Sequence, residues 1–156
     1  GLNNAMIPIV SYNYGAGKFD RVRKTVRLTA VTAIAIMCVG CALLELIPGT
    51  LLGLFSPTAE GLAIGKTALR IIGLHFPLAG FSIIAASACQ ALGKPIYALE
   101  SSVCRQIVVL LPVAYLLSLS GQLSLVWLSF PIAELAAVLL NAWFLKRAYR
   151  AALTGK

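Results

Sequence analysis

Leu28–Ile47 reads LTAVTAIAIMCVGCALLELI, twenty residues whose one charge is Glu45. At ~1.5 Å per residue such a run spans ~30 Å, the hydrocarbon thickness of a bilayer. Backbone in hydrocarbon must satisfy its own hydrogen bonds, so the stretch predicts a membrane helix. Immediately upstream stands a basic run, Lys18, Arg21, Arg23, Lys24 and Arg27. Before that, the apolar stretch Pro8–Gly17 breaks on glycine, and only Gly1–Tyr14 precedes the break. That is too short to cross. With glycine rather than methionine at position 1, a partial first helix and a piece of a longer membrane protein are expected.

Downstream, Pro48–Gly49 interrupts the run, and Leu51–Phe55 forms a second apolar patch. Ser56–Lys66, with Pro57 and Glu60, is polar enough for a loop. Further spans follow at Thr67–Leu92, Ile96–Leu119 and Leu125–Leu145. They are separated by Gly93-Lys94-Pro95 and by Ser118–Ser124, and the last stops at Lys146-Arg147. The prediction is an all-α integral membrane protein, a polytopic bundle of one partial and four complete transmembrane helices. The helices are expected near 1–14, 26–54, 67–92, 96–119 and 124–147, in a single membrane domain over 1–156. Segments this long without period-2 alternation exclude a closed barrel.

Composition agrees. The chain is 60% hydrophobic and 12% charged, against ~25% charged in soluble domains. Mean hydropathy is +0.91. The net charge of +8 does not point to nucleic acid, because the basic residues cluster at the ends of apolar segments. They also give topology: Lys18–Arg27, Lys94, Lys146, Arg147, Arg150 and Lys156 fall on one side. Lys66 and Arg70, near Glu45 and Glu60, fall on the other. The positive-inside rule makes the Gly15–Arg27 segment and the C-terminus cytoplasmic. The basic run needs no role beyond orientation, although it would also suit anionic lipid headgroups.

Several chemistries are excluded. Cys38 and Cys41 have CxxC spacing, but no second pair or nearby histidine completes a zinc site, so no metal is expected. Cys89 and Cys104 also lie in apolar segments, and all four read as small packing residues. Gly15-Ala16-Gly17 lacks the strand and the Gly-Lys-Ser/Thr ending of a phosphate loop. One histidine is too few for several catalytic groupings, and no enzyme chemistry or cofactor is expected.

Four stretches then point to one family. Pro8-Ile-Val-Ser-Tyr-Asn13-Tyr-Gly15-Ala16-Gly17-Lys18, followed by Arg21–Lys24, resembles the helix 8 to helix 9 junction of the multidrug and toxic compound extrusion (MATE) transporters. Gln90-Ala-Leu-Gly93-Lys94-Pro95 resembles the end of their helix 10. Arg105 with Pro112 resembles helix 11, and Trp127-Leu-Ser-Phe-Pro131-Ile-Ala-Glu134 the start of helix 12. The resemblance implies twelve helices in two lobes and export of cationic or amphipathic compounds by alternating access, driven by sodium ions or protons. This chain would be an incomplete C-terminal lobe, partnered by a missing N-terminal lobe of the same protein. A bacterial inner membrane is the implied setting. The resemblance places the family's coupling carboxylates mostly on helices 1, 7 and 10; the first two are absent from this chain and Thr67–Leu92 contains no Asp or Glu, so the coupling-ion site is expected mostly outside it and sodium coupling through a helix 10 aspartate is counted against.

The pathway candidates are Glu134, Arg105, His75 and Gln90. Glu134 lies about ten residues into the last span, where an ionisable group costs several kcal/mol unless paired, protonated or wet. It is a possible proton carrier or a structural carboxylate. Arg105 is deep enough to face protein or a wet vestibule, and it is a possible partner for Glu134 on the adjacent helix. Glu100 and Arg105 are five apart and pair poorly within one helix. His75 suits proton handling or a hydrogen bond beside a break at Pro77. Pro8, Pro77, Pro112 and Pro131 are expected to kink spans and to serve as hinges. Asn13 and Gln90 are expected to make interfacial hydrogen bonds, and Trp127 and Trp143 to anchor the last helix in an aromatic belt. Two other readings stay open: a lipid-linked saccharide flippase, which needs a strongly cationic cavity, and a non-transporting scaffold, which needs every interior polar group satisfied by protein.

Overall fold

The computed structural model describes residues 1–55 and 58–154. Ser56 and Pro57 of the expected loop, and Lys156 of the basic end, lie outside the described residues. Regular structure among the described residues is entirely helical: α1 Leu2–Gly15, α2 Phe19–Leu46, α3 Pro48–Gly53, α4 Ala59–Gly73, α5 Phe76–Ala91, α6 Pro95–Ser118, α7 Leu123–Val126 and α8 Ser129–Thr154. The middle of α6, Cys104–Leu110, is π-helical. Helices α2 and α6 and the run Leu123–Leu153 are long and apolar enough to cross a membrane. Helices α4 and α5, bent by 48° at their junction, are long and apolar enough to cross only when the two are taken together.

Several boundaries differ from the sequence reading, each for a local reason. The connection expected at Gly15–Arg27 shrinks to Ala16–Lys18, and α2 begins seven residues before the expected start at 26. The basic run is helical because it is amphipathic: Val22 and Val26 are buried one turn apart, while Arg21, Arg23, Lys24 and Arg27 face outward. The expected helix 26–54 breaks at Ile47, which the following Pro48 pushes out of helical geometry. The expected loop up to Lys66 is helical from Ala59, because Thr58 caps it by accepting a hydrogen bond from the Gly61 amide at 3.1 Å. Glu60, read as loop polarity, is an acid in the first turn. The expected helix 67–92 is two helices. The last helix starts later than 124 and continues past Arg147 to Thr154. The charges do not end the helix, and Ala148 and Ala152 stay buried.

The prolines also divide. Pro8 lies inside α1. Pro112 follows the π-helical stretch, where its missing amide leaves the Val108 carbonyl without its usual donor. Pro77 and Pro131 instead stand in the first turns of α5 and α8, where amides have no intrahelical partner to lose. Both begin helices, and Pro77 does so at the 48° bend between α4 and α5.

Helix α5 is central, packed on α2, α8, α1 and α6. The apolar core gathers toward the basic end: Met6, Val10, Val22, Val26, Ala88, Cys89, Phe144 and Ala148. Two glycines close that end by the same device. Gly17 (φ +68°) and Gly93 (φ +75°) take the left-handed conformation that terminates α1 and α5. The Lys18 amide then reaches back to the Asn13 carbonyl (2.8 Å), and the Lys94 amide to the Cys89 carbonyl (2.9 Å). Arg23 lies over the Tyr149 ring, and Arg147 over Tyr97 and Trp143. Trp143 is thus a cation–π partner as well as an end residue. The opposite faces of α2 and α8 present Val31, Ile36, Val39, Leu135 and Leu139 outward, as lipid contact requires.

Close packing of α2 on α5 depends on Gly80. A Cβ there would stand 3.2 Å from both the Ala33 carbonyl oxygen and Met37 Cγ. Small residues at such crossings let backbones approach where no hydrophobic force separates protein from lipid. Gly80→Leu is expected to cost about 1–3 kcal/mol of stability by overpacking. Gly15→Ala, with nothing within 4 Å, is the control. The thermal midpoint of the detergent-purified protein reads both; an equal shift for the two would show that α2 and α5 do not meet at Gly80.

Candidate functional site

Three helices build the site. Helix α8 starts with Ser129, whose hydroxyl donates to the Val126 carbonyl at 2.7 Å and ties it to the preceding turn. From there Phe130, Glu134, Ala137 and Asn141 follow at helical spacing and form one inward face. Helix α6 brings Arg105 on its π-helical stretch, a geometry that re-aims side chains and recurs at functional sites. His75 sits at the bend between α4 and α5, where its amide donates to the Ile72 carbonyl at 3.3 Å.

Arg105 Nη1 donates to Glu134 Oε2 at 3.1 Å. The sequence-predicted contact between adjacent helices is therefore present. Its two sides are unequal: the Glu134 side chain is 2% exposed and that of Arg105 43%. The carboxylate is locked in protein while the guanidinium reaches open space.

The pair lies between two cavities and lines both. The larger, 310 Å³, is bounded by Ile72, His75, Phe76, Arg105, Gln106, Leu110, Phe130, Ala133 and Glu134. These residues lie on the side away from the basic end. The smaller, 80 Å³, is bounded by Ser82, Ala86, Ser101, Ser102, Arg105, Glu134, Ala137 and Asn141, with Ile83. These lie on the side toward the basic end. In the larger cavity His75 stands 6.4 Å from the Phe130 ring in a stacked arrangement, and edge-on to Phe76 at 5.6 Å. Trp127 extends the row, 6.3 Å from Phe130. Buried polar atoms without a protein partner face this layer: His75 Nδ1, Ser82 Oγ and Asn141 Oδ1. Among the described residues, no group of three or more His, Cys, Asp or Glu could hold a metal ion.

The sequence model of the MatE family matches residues 1–116. The chain belongs to the MatE family. A solved structure described as an inward-facing conformation of a multidrug resistance MATE family transporter of the MOP superfamily superposes with a TM-score of 0.89 at 18% identity. That match covers 97% of this chain and 36% of the solved one, and it establishes the shared fold. A second solved structure, described as "protein A", has a TM-score of 0.84 at 39% identity, covering 93% of this chain and 32% of that one. The chain spans about a third of the length of both. No curated protein matches. The MatE chain is thus a multi-pass integral membrane protein with the fold of part of a transporter lobe.

Within this MatE bundle, the pathway candidates do not all meet. Glu134, Arg105 and His75 share the larger cavity, whereas Gln90 is exposed at the end of α5 and lines neither cavity. Asn13 is buried near the end of α1. It is 8% exposed, and its Nδ2 donates to the Ile9 carbonyl of its own helix at 2.8 Å. Gly15 ends α1, Ala16 caps it, and Gly17 makes the turn, so that motif serves the backbone. Glu100 is exposed and apart from Arg105's pair. Gln106, Phe130, Ser82 and Asn141 were missed from sequence; the seven-residue step from Glu134 to Asn141 was the available signal. A double-mutant cycle of Arg105→Met and Glu134→Gln on thermal stability is expected to give a coupling of at least ~1 kcal/mol. Additive effects would mean that the two side chains do not interact.

Proposed function

We propose that this chain forms most of the C-terminal lobe of a secondary active efflux antiporter. It exports cationic or amphipathic compounds in exchange for sodium ions or protons by alternating access. The remaining lobe comes from the same protein, the setting is a bacterial inner membrane, and the basic end with the C-terminus is cytoplasmic. One observation carries this reading: a buried carboxylate, neutralised by a half-exposed guanidinium, lies between two polar-lined cavities on opposite sides of it. Transport of this kind needs differential binding in two states rather than bond chemistry. A carboxylate that can exchange its partner supplies such a difference. The aromatic row of His75, Phe76 and Phe130 beside Glu134 suits an amphipathic cation, whose charge the carboxylate meets and whose apolar body the rings cover.

The rival readings fit less well. A flippase for lipid-linked saccharides needs a cationic cavity, but Arg105 is already paired with Glu134. A scaffold needs satisfied interior polar groups, but His75, Ser82 and Asn141 keep buried atoms without protein partners.

Efflux of a fluorescent organic cation, measured in vesicles bearing the full protein under imposed sodium or proton gradients, tests the proposal. Glu134→Gln is expected to lower gradient-driven efflux at least ~tenfold, the effect of losing one charge-assisted hydrogen bond. Phe130→Ala is expected to weaken the apparent affinity for the cation while leaving the choice of driving ion unchanged. Unaltered coupling in Glu134→Gln would remove that carboxylate from the pathway.

A further inference from the structure

We infer that the outward face of α2 binds one anionic phospholipid, its phosphate held by Arg21, Lys24 and Arg27 and an acyl chain lying along Leu28, Val31 and Val39. The site does not depend on transport. It is built by spacing. Residues 21, 24, 28, 31, 35 and 39 recur at steps of three and four and so share one side of the helix. All six are exposed, while Val22, Val26 and Ala33 on the other side are buried. Arg27 flanks the stripe and is exposed too. The stripe changes character once, from cations to apolar side chains, at Leu28. Depth agrees with this. Leu28–Leu46 rises ~28 Å, close to the hydrocarbon thickness, and the whole 28-residue helix rises ~42 Å, the thickness with headgroups included. With Leu28–Leu46 filling the hydrocarbon, Arg21–Arg27 stand at headgroup level.

Topology does not ask for this arrangement. The positive-inside rule counts cations near a span and is indifferent to the way they face. At the basic end the cations form two sets. Arg23 lies over Tyr149 at 5.9 Å, and Arg147 over Trp143 at 5.5 Å and Tyr97 at 5.9 Å, so protein rings hold both. Arg21, Lys24 and Arg27 make no ion pair or side-chain hydrogen bond among the described residues. Side chains one turn apart reach a common phosphate, and the guanidinium fork matches phosphate oxygens. A hollow of 540 Å³ beside Arg21, lined by Gly17, Lys18, Phe19, Asp20 and Leu153, gives the headgroup room. Lys18–Arg27 carries five cations and one acid, Asp20, so the patch favours a net anion over a zwitterion. Asp20 in the hollow favours a headgroup with a hydroxyl to donate, as in phosphatidylglycerol.

Native mass spectrometry of the purified full protein, titrated with phosphatidylglycerol or phosphatidylcholine of the same chain length, tests this. One phosphatidylglycerol is expected to be retained at least ~tenfold more tightly than phosphatidylcholine. Arg21→Gln with Lys24→Gln is expected to weaken it at least ~tenfold, since each basic residue at an anionic lipid contributes about fivefold. Lys146→Gln with Arg147→Gln removes the same charge away from the stripe and is expected to weaken it less than ~threefold. Arg21→Lys, which keeps the charge, is expected to keep the preference, which separates loss of charge from misfolding. Leu28→Ser with Val31→Ser is expected to weaken both lipids alike. Phosphatidylcholine held as tightly as phosphatidylglycerol would show a lipid annulus only and overturn the inference. Equal losses in the two double charge variants would show diffuse attraction and overturn it as well. So would displacement of the lipid by glycerol phosphate at equal concentration, which would show a site for a soluble anion.

Discussion

A carboxylate inside an apolar helix bundle needs a counter-charge, and Arg105 provides the one that Glu134 has. The cost of an unpaired ion at that depth is several kcal/mol, so the pair constrains where α6 and α8 can sit. Breaking a buried pair from one side is costly because it strands the other charge. Here the stranding is asymmetric: Glu134 is locked, whereas Arg105 borders open space. The pair is therefore a poor source of net stability and a good device for holding one of two arrangements. Its position gives it that role, since it divides the interior into two cavities that share it as a wall.

Much of this was legible in the sequence, for reasons that can be named. Spans, order and the clustering of basic residues come from hydrophobic run length and charge placement, which the bilayer imposes directly. The Arg105–Glu134 contact was legible because two charges deep in adjacent spans have few other solutions. Helix starts were not legible where polarity was taken for a loop. Thr58 and Glu60 are polar because they begin a helix, and Lys18–Arg27 is charged because only one face of that end of α2, with Val22 and Val26, packs into the core. The π-helical stretch has no local signature except Pro112 downstream, and proline alone does not say how the backbone will absorb its missing amide. Asn13 and Gln90 looked alike on the page, yet one is buried and the other exposed. The difference is rotational phase on their helices, which only packing decides.

The two ends of the bundle are built differently. At the basic end, α1 and α5 both finish on a left-handed glycine followed by lysine, and small residues such as Ala88 and Cys89 pack to completion. Arginines lie over the rings of Tyr97, Trp143 and Tyr149, which extends that closed end outward. Away from it, the helices are bent, interrupted or π-helical. At the far end Arg70 and Glu45 pair at 3.9 Å, a contact that is long and exposed and of a kind worth little.

Irregular backbone in a membrane is tolerated where it borders a cavity or is buried in protein. The two largest irregularities here border the same cavity: the 48° bend presents His75, and the π-helical stretch presents Arg105 and Gln106. Both can change local geometry without disturbing the closed core, because Val10, Ala88 and Cys89 lie at the other end of the span. Pro77 and Pro112 stand beside these irregularities and keep the helical ladder from healing across them. The regular, closed packing thus lies at the basic end, and the irregular backbone lies where the charges meet.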